Sequence, residues 1–386
     1  MKRIAFINAT SYGSTGNIIL DIINGYQGEA RLFCFRTKVD NPKVTKISIN
    51  KLSDTCSHVL SRIDGKDGFH YHALAKKLIK ELEAFKPDII HIHNLHGYYL
   101  NIELLINYIN KNHIKIIYTF HDLWSLTGRC AVPGNCKKYL EGCKGCKINN
   151  YPYTLLHLED KIYQKKIPLL SSIEDMTIIS PCEYNLTFIK ETYLNKYPMK
   201  VINNGIDLDV FKHVDSDIRE KYNIAKDTII LLTVANPFSI HKGVEYLNEI
   251  ASKLDKDYLI IAIGDVEKGI TLNPLIKHIP HISREELIKF YSAADLFINT
   301  TMSDTYPTVD MEAISCLLPV ISFDTGGTRE IVTPDVGVLL PQKDVDGMLK
   351  EIEKACRNPL KRENLLKRRE DFAKSLMVNK YIELYK

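Results

Sequence analysis

Two doubly wound α/β domains in tandem are the fold this sequence predicts, and three observations predict it. Short, continuously apolar runs rich in β-branched residues alternate with longer amphipathic stretches, as in parallel sheets covered on both faces. The alternation starts afresh past residue 204. The length, 386 residues, suits two domains of about 100–200 residues each.

In the first half, RIAFIN, ARLFCFR, DIIHIH, IKIIYTF, MTIIS and MKVINN read as six strands. Between them HALAKKLIKELEAF and NIELLINYINKN carry helical periodicity. The second half supplies the strands TIILLTVA, DYLIIAIG, DLFINT, LPVISF and VGVLL, with helices over GVEYLNEIASKL, REELIKFYSAA and VDMEAISC. The turn-forming cluster Asn203-Asn204-Gly205 marks the junction. The expected organisation is therefore an N-terminal Rossmann-like domain over 1–204, a second over 205–368, and a charged helical tail over 369–386 that packs back on the first.

Hydrophobic residues make up 45% and charged residues 25%, enough for full cores. A formal net charge of +4 is too mild to argue for nucleic acid. The start MKRIAFINAT lacks the longer apolar stretch of a signal peptide, and no window approaches the ~18 apolar residues of a membrane helix. The expectation is a cytoplasmic protein whose nine cysteines are reduced.

Ligands of such sheets sit outside the carboxyl ends of the strands, so the loops there carry the chemistry. After the first strand comes Tyr12-Gly13-Ser14-Thr15-Gly16, which reads either as a tight turn or as an anion-facing loop opening a helix. DIIHIH delivers His91, His93, Asn94 and His96. By alternation, His91 reads as a core histidine. IKIIYTF delivers His121 and Asp122, followed by Trp124, the only tryptophan. Neutral imidazoles and amides there can hold sugar hydroxyls, and His121 beside Asp122 reads as functional.

Cys130, Cys136, Cys143 and Cys146 are separated by five, six and two residues in a Gly-, Lys- and Pro-rich segment. Four thiolates in one short loop suit a structural, tetrahedral Zn²⁺. Reduced thiols are the alternative, with redox or disulfide chemistry behind it.

In the second half, Lys242 in NPFSIHKG stands before a helix, where its ammonium could pair with a diphosphate. SDTYPTVDMEA places Asp304 at a strand end and Glu312 inside the helix beginning near Thr308. The amides at that helix start can receive phosphate oxygens, and carboxylates accept from sugar and ribose hydroxyls. DTGGTRE, from Asp324, is a Gly-rich turn into a helix, structural or functional.

Taken together, these motifs are similar to a known family. SDTYPTVDMEAISCLLPVISFDTGGTREIV, with NNGIDLDVF and SREELIKFYSAADLFINTT, resembles the retaining glycosyltransferases of family four, which have the GT-B fold of two Rossmann-like domains facing across a cleft. GSTGN, HIHNLHGYYLNI, TFHDLWSLTGRC and the spaced cysteines resemble a bacterial subgroup that builds surface polysaccharides of capsule or colanic-acid type. The resemblance implies a nucleotide-sugar donor held by Lys242, Tyr306, Thr308 and Glu312, with Gly13 and Gly16 lining the cleft. It implies Asp304 and His121 at the reacting centre, and His93, Asn94 and Asp122 on the acceptor side. It also implies metal-free transfer with retention and no cofactor, to an oligosaccharide acceptor that is lipid-linked and sits at the inner face of a membrane.

Three positions depart from the family pattern. Asp304 stands where Glu is usual. Asn236 replaces an Arg of the diphosphate site, with His241 as a candidate substitute. Tyr306-Pro307 stiffens a loop that usually carries Gly. No Asp-x-Asp clamp stands at a strand end. The basic segment Lys161 to Lys166 reads as a headgroup contact or as a solvated helix face. Two other functions fit the same residues: a nucleotide-sugar epimerase or hydrolase of the same fold, and an inactive zinc-stabilised binding protein.

Overall fold

The computed structural model of the chain describes residues 1–49, 51–134, 136–146 and 152–386, with backbone alone for 51–53. The chain folds into two compact units: Met1–Asn203 with Met377–Lys386, and Asn204–Leu376.

The sheet of unit 1 comprises β1 (Ile4–Thr10), β2 (Ala30–Arg36), β3 (Val44–Lys46), β4 (Ile89–Ile92), β5 (Lys115–Thr119), β6 (Met176–Ser180) and β7 (Met199–Val201). All pairs are parallel, in the order β3-β2-β1-β4-β5-β6-β7. The helices are α1 (Gly13–Gly25), α2 (Lys51–Asp64), α3 (His72–Phe85), α4 (Ile102–Lys111), α5 (Glu159–Ser171) and α6 (Glu183–Lys190). Parallel pairing requires crossovers, and the helices serve as those crossovers and cover both faces.

Alternation along β1 divides its side chains between two cores. Ala5, Ile7 and Ala9 face a cluster with Phe33, Ile90 and Ile116. Ile4 and Phe6 face another with Leu32, Ile89, Ile117 and Tyr381. α4 shows why such stretches become helices. Asn101 caps it by accepting from Leu104 N–H at 3.0 Å. Ile102, Leu105, Ile106 and Ile109 then fall on one buried stripe.

Unit 2 repeats the plan with β8 (Ile229–Val234), β9 (Tyr258–Ile263), β10 (Lys277–Ile279), β11 (Leu296–Asn299), β12 (Val320–Phe323) and β13 (Gly337–Leu340). They run parallel in the order β10-β9-β8-β11-β12-β13. Its helices are α7 (Ile218–Lys221), α8 (Val244–Lys253), α9 (Arg284–Ala293), α10 (Thr308–Ser315), α11 (Val345–Arg357) and α12 (Arg362–Arg369). The last helix, α13 (Lys374–Leu384), starts in unit 2 and belongs to unit 1 from Met377 on.

β3 and β10 are not among the strands read from the sequence. Each has three residues and lies at a sheet edge, too short for an apolar run to register. The tail returns to unit 1 later than residue 369. Leu365 and Phe372 are buried within unit 2, and Ile206 N–H donates to Phe372 O at 2.8 Å. Among the described residues no helix is long and apolar enough to cross a membrane.

Candidate functional site

In unit 2 the carboxyl ends of β8 and β11 bring the expected donor residues together. The β8 loop ends in a single turn, Ile240–Lys242, stitched to the β11 loop by Met302 N–H on His241 O (2.9 Å) and Thr300 Oγ1 on Lys242 O (3.2 Å). This seats Lys242 Nζ on Asp304 Oδ2 at 2.5 Å. Burial alone would depress the Lys242 ammonium, but the Asp304 charge and hydrogen bond outweigh it and raise its pKa. α10 starts at Thr308, directly after buried Pro307, and leaves its first amides without helical partners. A Cβ on Gly326 would fall 1.7 Å from Asp304 O, so only glycine lets the DTGG turn close on the Asp304 backbone.

Glu312 accepts from Tyr291 Oη of α9 at 3.0 Å, and burial raises its pKa to about 7. Between the two expected carboxyls lies a third that the sequence motifs did not single out. Asp310 is fully buried, accepts from Asn299 Nδ2 at 2.8 Å through Oδ1, and leaves Oδ2 without a partner. Burial raises it to about 7 as well. The signal was there: a carboxylate in the buried stripe of a short helix is rare unless something requires it.

Fully ionised, three carboxylates against one ammonium would repel a diphosphate. Protonation of Asp310 removes one of them. Because the folded pKa of Asp310 lies above its unfolded value, its contribution to stability is present at low pH and is lost as pH rises toward about 7. Asp310→Asn is therefore expected to raise the melting temperature by roughly 3–6 °C at pH 8 and little at pH 4. Thermal unfolding at the two pH values checks this; an equal shift at both would contradict it.

In unit 1 the ends of β4 and β5 gather the histidines. His93 Nδ1 meets His121 Nε2 at 2.8 Å, with the rings stacked at 16°. Burial depresses His121 to about 4, against the pull of the Asp122 charge, so its imidazole is neutral at pH 7. Asp122 accepts from His96 Nε2 at 2.7 Å and from Trp124 N–H at 2.8 Å. Asn94, with its amide nitrogen turned toward them, donates to His93 O and to Asp122 Oδ2 at 3.3 and 3.1 Å.

His93 is buried, and its Nδ1 pairs with His121 and orients that ring, while its Nε2 makes no hydrogen bond among the described residues. His91 lies between Tyr385 Oη (2.7 Å) and Thr119 Oγ1 (2.9 Å), a satisfied core histidine. Gly13 has φ +78, and a Cβ on Gly16 would lie 2.5 Å from the Ser11 carbonyl carbon. Packing of α1 onto the strand end thus already requires Gly16, and the left-handed backbone favours glycine at position 13. Lys166 leaves the expected basic surface segment, being wholly buried.

Cys130 and Cys143 are buried, Cys136 and Cys146 half-buried. Burial, aided by the other three thiols and opposed by the Arg129 charge, pushes the Cys130 thiol up to about 12. Among the described residues, no three His, Cys, Asp or Glu side chains are placed as a ligand set. Asp207 and Asp209, the Asp-x-Asp pair just past the junction, form no clamp either: Lys374 holds Asp207 at 2.5 Å.

Residues 51–210 match the family model described as Glycosyltransferase Family 4, and residues 214–372 match Glycosyl transferases group 1. WcaC of Escherichia coli (strain K12), which carries the name of a colanic acid biosynthesis glycosyl transferase, is 24% identical over 322 residues, spanning 78% of this chain and 76% of its own. Sucrose-phosphate synthase from Thermosynechococcus elongatus superposes with a TM-score of 0.72 at 16% identity, over 100% of this chain and 98% of its own. Anabaena Alr3699/HepE in complex with UDP-glucose gives 0.71 at 16%, over 100% and 99%. The protein is a glycosyltransferase with the GT-B fold. Its two units match the family-four and group-1 models in turn, and its relatives include polysaccharide biosynthesis enzymes.

Proposed function

We propose that the chain transfers a sugar from a nucleotide-sugar donor to a saccharide acceptor, with retention at the anomeric centre and without a catalytic metal, in surface polysaccharide synthesis. The observation that carries this is the cluster of Lys242, Asp304, Glu312 and the α10 amides at one end of the unit 2 sheet. Lys242 and the α10 amides, with Tyr306 and Thr308 at the helix start, neutralise the diphosphate leaving group. Glu312, oriented by Tyr291, accepts from the ribose hydroxyls, and Asp304 stands at the transferred sugar. His121 and Asp122 of unit 1 hold the acceptor side, where a neutral imidazole acts as a hydrogen-bonding group rather than a strong base at pH 7. HepE, a structural neighbour, holds UDP-glucose, which supports the donor class.

The acceptor is a lipid-linked oligosaccharide in this reading, a choice supported by the relatives named for capsule and colanic acid synthesis. The enzyme then works at the inner face of the membrane as a peripheral protein.

The decisive assay follows a donor sugar by NMR with and without a lipid-linked saccharide. Turnover only with acceptor, giving a product of the donor's anomeric configuration, is expected. Hydrolysis or epimerisation without acceptor would favour the same-fold alternative, and inversion would overturn retention.

The loop thiols are read as ligands of a structural Zn²⁺ that orders the segment on binding, a reading supported by the four cysteines between 130 and 146 in the sequence. Metal analysis of protein prepared under reducing conditions should find about one zinc per chain, lost in Cys143→Ser. No zinc would leave the loop as reduced thiols.

A further inference from the structure

Lys166 is the only fully buried lysine among the described residues. It projects from α5 beneath the loop that begins at His121. Its Nζ donates to Trp124 O at 2.8 Å and to Thr127 O at 3.1 Å, and lies 3.2 Å from the centroid of the Trp124 ring. Residues 123–131 of this loop are buried throughout. A buried loop cannot hand its carbonyls to water, so each needs a donor from the protein.

Two more carboxylates complete the arrangement. Buried Asp67 accepts Gly97 N–H and Tyr98 N–H, both at 2.9 Å, and thereby fixes the loop after β4. Asp122 fixes the start of the loop after β5 through Trp124 N–H and joins the two loops through His96. Burial depresses the Lys166 amine to about 7, and the charges of Asp67 and Asp122 work against that depression. A second buried cation, Arg129, ties the far end of the loop to Glu159 Oε1 at 3.0 Å, at the start of the same helix.

A methionine would fill this space without the desolvation cost of an amine. An apolar side chain would, however, take away the donor to Thr127 O and leave Trp124 O only the longer bond from Thr127 N–H at 3.3 Å and that from Thr127 Oγ1 at 3.4 Å. The amine contributes a fixed loop path three residues downstream of His121, where small displacements matter to a reacting geometry.

We propose that Lys166 is a positioning residue for glycosyl transfer: by pinning Trp124 and Thr127 from beneath, it sets the path of the loop that presents His121 and Asp122. This rests on the reading of His121 as a residue of the reacting centre.

The test is a double-mutant cycle in the full chain with Lys166→Met, Lys166→Gln and His121→Ala, following kcat, nucleotide affinity and melting temperature. Wild-type transfer must be observed first; its absence would overturn the glycosyl-transfer reading and this proposal with it. With transfer present, Lys166→Met is expected to lower kcat about 30-fold with nucleotide affinity within about threefold. It should add little to His121→Ala, since both act through one group. Lys166→Gln, which restores a donor without the charge, should recover part of the loss and serves if Lys166→Met does not fold. Emission from Trp124, the sole tryptophan, should shift in Lys166→Met as the amine leaves its ring. A lowered melting temperature with unchanged kcat, or losses from Lys166 and His121 that add independently, would overturn the proposal.

Discussion

Lys242→Ala is expected to weaken binding of the nucleotide diphosphate by about 100-fold or more. Truncating one partner of a desolvated charge pair costs about 2–5 kcal/mol, and two effects add here. The variant loses the cation that faces the diphosphate. It also leaves Asp304, otherwise held at 2.5 Å, as an unpaired carboxylate beside the phosphates. The second effect is separable: Lys242→Ala with Asp304→Asn should bind more tightly than Lys242→Ala alone. Lys242→Arg should lose less than Lys242→Ala, because charge is kept while the compact ammonium geometry is not. Isothermal titration with the cognate nucleotide checks all three variants. Wild-type affinity in Lys242→Ala would remove the donor site from unit 2.

His121→Ala is expected to lower turnover by about 100-fold while changing nucleotide affinity no more than about threefold. The imidazole belongs to unit 1, whereas the donor cluster belongs to unit 2. The pH dependence gives a sharper test. An ordinary histidine would lose its neutral form as pH falls through about 6.5. Burial depresses His121 to about 4, so the neutral ring persists well below pH 6. Turnover governed by His121 should therefore stay flat from pH 8 to pH 6 and fall only near the lower value. A limb near 6.5 that disappears in His121→Ala would show that the ring titrates as if exposed, against its buried pairing with His93.

Periodicity made most of the fold legible. The stretch 72–85 read as a helix and is one to the residue, and the eleven apolar runs all became strands. Among the strands, what escaped were β3 and β10, whose pairing comes from a neighbouring strand rather than from their own composition. Site residues were legible where a family pattern marked them, as at Lys242, Asp304 and Glu312. Asp310, Asn299, Asp67 and Lys166 were not, because their significance lies in burial and partners. Lys166 is the clearest case. In the sequence it closes a basic run that looks like a surface, yet the helical period turns it inward while Lys161 and Lys165 stay exposed. The reverse holds for Gly16, which resembles a ligand loop but answers first to the Ser11 backbone. His93 likewise has a role that the sequence did not show, since its Nδ1 pairs with another histidine.

The central claim is that unit 2 binds a nucleotide diphosphate through Lys242, the α10 amides and Glu312. Calorimetric titration of the full chain with UDP, GDP, ADP and CMP, repeated on Glu312→Ala, tests it most directly. The account predicts that one nucleoside diphosphate binds the wild type near one-to-one and that Glu312→Ala weakens it at least about tenfold. No binding by any of the four, or equal affinity in wild type and Glu312→Ala, would contradict it.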